Sequence, residues 1–277
     1  MLRLAAPAKI NLHLEILGRR DDGFHALETV FQTLDLHDIV AVACEAGTGI
    51  ALTCSDAALP AGEGNLAWRA AAAMQARRPE LGRIVVTLDK RLPAGAGLGG
   101  GSSDAAAVLR ALQRRLAEPL PDAELHAIAA GLGSDVPFFL LGGTAHALGR
   151  GEELTPLPDL PRLPVTVLKP ERDLPTPAVY RALEDAERGP RTARGAAWWR
   201  ETLATLPAPP LENRLTGPAL RLEAQVRDLL AWLARSGAPH LLSGSGSACF
   251  ALAHLDPPPG VRGWKTFTRP RAQLDAL

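Results

Sequence analysis

The sequence predicts an α+β fold in two domains, and three observations carry that expectation. Strand-like and helix-like segments follow one another irregularly, without the regular alternation of a parallel doubly wound sheet. A five-glycine loop stands between a β-branched apolar segment and a cleanly patterned helix. Prolines cluster at Pro156, Pro158, Pro161 and Pro164, which sets expected domains of 1–156 and 157–277. The 277 residues are enough for two ordinary domains.

In the opening strand Ile10, Leu12, Leu14 and Ile16 alternate with Lys9, Asn11, His13 and Glu15, giving one apolar and one polar face. Gly18–Thr29 is a charged turn containing Phe24 and His25. Val30–Cys44 reads as a pair of strands broken near Asp35–Asp38, and 47–64 as mixed strand and loop. Asn65–Arg78 is an alanine-rich helix suited to close packing on a sheet. Ile84–Leu88 is a buried strand. Behind the glycines, Ala105–Ala117 places Val108, Leu109, Leu112 and Leu116 on one helical face. Pro121–Ala130 is a short helix, Pro137 interrupts any regular helix through Gly131–Gly143, and Gly143–Glu153 is a strand and hairpin. The second half opens with the strand Val165–Leu168 and the helix Pro177–Glu187. Gly189–Asn213 is weakly patterned, with Trp198 and Trp199 as a packing anchor. Ala219–Arg235 is one amphipathic helix closed by Gly237. Ser243–Ser247 forms a second small-residue loop between His240–Leu242 and the strand Ala248–Ala253.

Charged residues make up 22% and sum to a formal zero, which argues against nucleic-acid binding. No apolar run is long enough to span a membrane, and Lys9 interrupts what would have to be a signal-peptide core. Cys44, Cys54 and Cys249 lack metal spacing and point to a reducing cytoplasm rather than a disulfide framework. With four lysines against 26 arginines, each of Lys9, Lys90, Lys169 and Lys265 invites scrutiny.

The chemistry concentrates in LPAGAGLGGGSSD, Leu92–Asp104. Glycines allow positive φ and close approach of a ligand to the backbone. Successive N–H groups ahead of a helix form a concave anion site, and Ser102, Ser103 and Asp104 are residue types that cap a helix. No lysine follows the glycines as in a P-loop, and the dinucleotide fingerprint is absent. The expected ligand is a nucleotide phosphate chain. Asp135, between a glycine turn and an apolar block, is an unusual place for an acid.

Four motifs coexist: PAKIN at Pro7–Asn11, the glycine loop, GSDVPFF around Asp135, and SGSGSACF at Ser243–Phe250. Together they resemble the GHMP kinase superfamily of small-molecule kinases. With the D-G-F-H element at Asp22–His25, they are most similar to its branch that phosphorylates the 2-hydroxyl of a cytidine-diphosphate-linked substrate in non-mevalonate isoprenoid synthesis. The resemblance covers most of 1–150 and the segments Val165–Tyr180 and Ser243–Phe250, and weakens across 189–213. It implies an N-terminal ATP-binding domain (ribosomal protein S5 domain 2-like), a C-terminal ferredoxin-like substrate domain, ATP with Mg²⁺, and no nucleic-acid or membrane partner. A monomer or a homodimer would fit.

By the same resemblance Asp135 accepts or orients the proton of the attacking hydroxyl, and Lys9 holds Asp135 ionised and stabilises charge on the transferring group. Pro93, Ala94, Gly95, Ala96, Gly97, Leu98, Gly99, Gly100, Gly101, Ser102 and Ser103 wrap the triphosphate, with Ser102 or Ser103 near Mg²⁺. Asp104 reads as a helix cap, and Asn65 and Lys90 fall near the nucleoside. On the acceptor side Asn11 orients substrate, Phe24 and Tyr180 stack on cytosine, and His25 reads it by hydrogen bonds. Ser243, Gly244, Ser245 and Gly246 approach the phosphates from the second domain. Phe24 stands where the family often has tyrosine, which keeps the stacking face and removes a hydroxyl. A homoserine, sugar or mevalonate kinase, or a silent nucleotide sensor, remain the alternatives. The D-G-F-H element speaks against the first group; the presence of Lys9 and Asp135 speaks against the second.

Overall fold

A computed structural model describes residues 1–188, 194–206 and 208–277. Its first sheet is organised by two long antiparallel strands, β1 (Leu2–Arg19) and β2 (His25–Glu45), paired from Leu2 opposite Val42 to Arg19 opposite His25. Register shifts after Pro7, Asn11 and Ile16 re-aim side chains along β1. Next come β3 (Ile50–Cys54) and β4 (Arg83–Asp89), which pair in parallel, and the hairpin of β5 (Thr144–Leu148) with β6 (Glu153–Pro156). The expected break near Asp35–Asp38 is absent. β2 runs through it, and only its far edge changes partner, from β5 at Thr29–Gln32 to β4 at Ile39–Glu45. The polar residues mark the gap between two partners and not a chain reversal.

The second sheet is antiparallel throughout. It uses β7 (Pro164–Lys169), β9 (His240–Leu242), β10 (Cys249–Ala251) and β11 (Arg262–Phe267), in the order β11-β7-β10-β9. β8 (Glu212–Asn213) crosses back to pair in parallel with β1 at His13 and Leu14. The mixed α+β architecture agrees with the sequence expectation.

The helices are α1 (Leu66–Arg77), α2 (Gly100–Gln113), α3 (Asp122–Leu132), α4 (Val136–Leu141), α5 (Thr176–Arg181), α6 (Gly195–Thr205), α7 (Thr216–Leu222) and α8 (Ala224–Arg235). Alanines on α1 and α2 let both approach the first sheet closely, around Val86, Leu88 and Val108. On the other face of that sheet, Ile10, Leu12 and Val30 meet Val165, Val167 and Phe250 of the second. Leu14 and Ile16 pack with Val179, Leu229 and Leu233 beneath the C-terminal helices.

Two helices depart from expectation. The segment 219–235 is α7 and α8, separated at Glu223, whose extended backbone and side chain cap α8 through Gln225 N–H. Hydrophobic spacing continues across this joint, so periodicity alone cannot detect it. The segment 177–187 stops as α5 at Arg181 and resumes as a short turn at Asp185–Glu187. Within the weakly patterned 189–213, residues 189–193 and 207 lie outside the described residues. Trp199 is fully buried on α6, as an anchor should be, while Trp198 is exposed on its other side.

The polar face of β1 is buried as completely as its apolar face. Lys9, Asn11, His13 and Glu15 are all shielded from water. Glu15 meets Arg214, and the His13 ring lies 5.1 Å from Trp199. Alternation identifies two faces; only the tertiary structure covers both.

Candidate active site

The glycine loop connects β4 to α2. It is anchored through its carbonyls: Leu98 O accepts from Lys9 N–H at 2.9 Å and Ala96 O from Ala248 N–H at 3.2 Å. The side chains of Leu92, Ala96 and Leu98 are buried. Helix α2 begins at Gly100, earlier than a Ser102–Asp104 cap would allow. Its N-cap is Gly99, which has φ 74° and no side chain, and no acid occupies the first turn. The first N–H groups therefore keep their hydrogen-bonding capacity beside the positive end of the helix dipole. This is an anion cradle made of backbone. It lines a cleft of about 510 Å³ that includes Pro93, Ala94, Gly95, Gly101 and Ser102.

The second small-residue loop closes against the first. A Cβ at Gly97 would collide with the Ser243 carbonyl and lie 3.0 Å from Gly246 O, so only glycine permits the contact. Ser243 is buried and its hydroxyl donates to Gly97 O at 3.1 Å, which joins the loops instead of facing a ligand. Gly244 and Ser245 face one cavity and Gly246 the other.

Between the loops stands Lys9, 4% exposed. Its Nζ donates to Asn11 Oδ1 at 2.7 Å and lies 3.8 Å from Asp135 Oδ2. Asn11 is itself fixed by donating to Thr29 Oγ1 at 2.8 Å. Burial pulls the Lys9 ammonium below the usual lysine range, and the Asp135 carboxylate opposes that pull. Asp135 ends the turn ahead of α4 without a side-chain capping bond, so its carboxylate, 31% exposed, is free to face the cavity.

That cavity, of about 690 Å³, holds the remaining acceptor-side candidates Phe24, His25 and Tyr180. The rings of His25 and Tyr180 are 5.0 Å apart and inclined by 31°. Phe24 is 53% exposed, with the Arg150 guanidinium 5.1 Å from its ring centre. Burial, then Arg188 and Arg19, push the His25 pKa down, which favours a neutral ring with one donor and one acceptor nitrogen. Burial pushes the Tyr180 phenol up, so its hydroxyl stays protonated. Four arginines, Arg19, Arg150, Arg181 and Arg188, line the same space. Sequence reading missed them because arginine is common throughout this chain.

The chain matches the family model described as the GHMP kinases N terminal domain over residues 65–143. A 4-diphosphocytidyl-2-C-methyl-D-erythritol kinase of Thermus thermophilus is 43% identical over 249 residues, covering 90% of this chain and 86% of that one. The chain belongs to the 4-diphosphocytidyl-2-C-methyl-D-erythritol kinase family. A member from Acaryochloris marina is 54% identical over 166 residues, 60% of this chain and 54% of the relative. A crystal structure of 4-(cytidine 5'-diphospho)-2C-methyl-D-erythritol kinase superposes with a TM-score of 0.82 at 39% identity, covering 96% of this chain and 99% of that one. Family membership makes the chain an enzyme, a small-molecule phosphotransferase.

One expectation around the kinase cleft changes, and two other candidates there have structural partners. Asp104 is not a helix cap: it lies inside α2, buried, with Oδ2 accepting from Lys90 Nζ at 2.6 Å. Lys90 also bonds Asp38, so its ammonium is engaged by two carboxylates. Asn65 caps α1, with Oδ1 accepting from Ala67 N–H at 2.9 Å and Nδ2 donating to Pro60 O at 2.8 Å. Both Lys90 and Asn65 still line the nucleotide-sized cleft. Ser103 lies one residue deeper than Ser102, fully buried, its hydroxyl without a hydrogen-bond partner. No helix among the described residues is long and apolar enough to cross a membrane.

Proposed function

We propose that the chain transfers the γ-phosphoryl group of ATP to the 2-hydroxyl of 4-diphosphocytidyl-2-C-methyl-D-erythritol, a step of the non-mevalonate route to isoprenoid precursors. One observation carries this reading: the two cavities meet at Gly97 and Gly99, beside Lys9 and Asp135. Nucleotide in the backbone cradle and an alcohol in the side-chain cavity would present their reacting groups to each other at that junction.

Phosphoryl transfer asks for positioning and charge stabilisation more than covalent help. Asp135 accepts the hydroxyl proton as the oxygen attacks. Lys9 stabilises the charge that develops on the transferring group, and its burial strengthens that interaction. Asn11 holds the Lys9 ammonium in place. The described residues contain no group of three or more metal-ligating side chains. Mg²⁺ would therefore be held chiefly by the nucleotide's own phosphates, with the Ser102 hydroxyl in reach of the cleft. When bound it neutralises phosphate charge. The arginines of the acceptor cavity suit a diphosphate, and Phe24, Tyr180 and the neutral His25 suit a pyrimidine.

The test is ATP consumption with the cytidylyl alcohol and Mg²⁺, run beside homoserine, mevalonate and galactose. Turnover with the cytidylyl alcohol alone is expected. Turnover with another alcohol would overturn the roles of Phe24, His25 and Tyr180. ATP binding without turnover on any of them would point to a silent sensor.

A further inference from the structure

Several buried charged groups play no part in the transfer chemistry, and Asp38 is one that reaches the phosphate loop. Asp38, on β2, is fully buried and does not line either cavity. Its Oδ1 accepts from the backbone N–H groups of Arg91, at 2.5 Å, and Leu92, at 2.8 Å, where the phosphate loop begins. Its Oδ2 accepts from Lys90, which bonds Asp104 on the second turn of α2. At Gly100, the first residue of that helix, a Cβ would lie 3.6 Å from the same Oδ2. One carboxylate thus holds the entrance of the loop directly and its exit through Lys90.

The span between those ends needs such a fixture. Gly95, Gly97 and Gly99 take φ of 64°, 72° and 74°, and glycine backbones have the most conformational freedom to lose. A loop that samples other spacings would have to be ordered at the moment a polyphosphate binds, and affinity would fall by that cost.

We propose that Asp38 is a positioning residue for nucleotide: it sets the distance between the two ends of the phosphate loop, and so the affinity of the backbone cradle, without touching the ligand. This rests on the nucleotide occupying the Gly95–Ser102 cleft.

The test compares wild type, Asp38→Ala and Asp38→Asn as full chains. ATP affinity is measured by calorimetric titration with Mg²⁺, and KM for both substrates by steady-state assay. Asp38→Ala should weaken ATP about tenfold, leave KM for the cytidylyl alcohol within about twofold, and keep most of kcat at saturating ATP. Asp38→Asn keeps an oxygen for the Arg91 and Leu92 N–H groups and loses the charge facing Lys90, so its loss should be smaller, about threefold. A folded Asp38→Ala with wild-type ATP affinity, or with both KM values raised equally, would overturn the proposal. An Asp38→Asn no better than Asp38→Ala would overturn it too, since the loop N–H groups would then not matter. If Asp38→Ala does not fold, Asp38→Asn decides alone, and unchanged ATP affinity in it refutes the role. A wild type that fails to bind ATP would sink the nucleotide reading instead.

Discussion

The two cavities that meet at Gly97 and Gly99 are made of different material. The cleft at the start of α2 is chiefly backbone: glycines, a side-chain-free helix cap and carbonyls turned inward. The larger cavity is chiefly side chains, with Phe24, His25, Tyr180 and four arginines brought from the β1–β2 turn, the β5–β6 hairpin and the region of α5. A phosphate chain is recognised by N–H groups that every residue carries, so its site is a local stretch of sequence. A base and a diphosphate on an alcohol need particular side chains, which distant segments can supply. The difference predicts that substitutions in the second cavity separate the two substrates, and that substitution at the junction stops transfer while sparing nucleotide.

The largest expected effect is at the junction. Asp135→Ala should lower kcat by about 10³-fold with ATP affinity retained, measured by turnover and by titration. Loss of ATP affinity in step with turnover would break the separation between the cavities.

His13→Phe sharpens the comparison from outside both cavities. Burial pushes His13 down to about 4, so the folded chain keeps it neutral while the unfolded chain protonates near 6.5. Wild-type stability should therefore decline as pH falls from about 6.5 to 4, by up to about 3 kcal/mol from this group. The variant also removes two buried ring nitrogens that have no hydrogen-bond partner. Denaturant unfolding at several pH values should show a flatter profile, with KM for both substrates unchanged.

Tyr180→Ala should raise KM for the cytidylyl alcohol by about 2 kcal/mol, roughly thirtyfold, and leave ATP near normal. An equal loss for both ligands would remove the base-stacking role. The smallest effect is expected at Arg150, whose guanidinium covers Phe24 and is held by Glu152 Oε1 at 3.3 Å. Arg150→Ala should raise the acceptor KM about fivefold, the scale of a partly exposed cation–π contact.

Much of this site was legible because its motifs are short. The glycine loop, the PAKIN strand, the Asp135 turn and the second small-residue loop each announce local backbone geometry or a residue out of place. The structure gathers all four at one junction. Asp104 misled because an acid after two serines is a common helix start, and nothing local reveals that Gly99 already caps the helix. Asp38 was passed over because two aspartates in a strand look like an interruption.

The sequence by itself determined the α+β class, the kinase motifs and the alternating faces of β1, since these depend on neighbours within a few residues. The tertiary structure decided that the polar face of β1 would be buried, that β2 would run unbroken between two partners, and that Lys90 would be taken up by Asp38 and Asp104. Those outcomes depend on surfaces and charges that distant segments bring together; the partners of Lys90 alone come from 14 and 52 residues away. A buried charge left without a partner is costly, so the fold must supply one, and no periodicity in the chain encodes which.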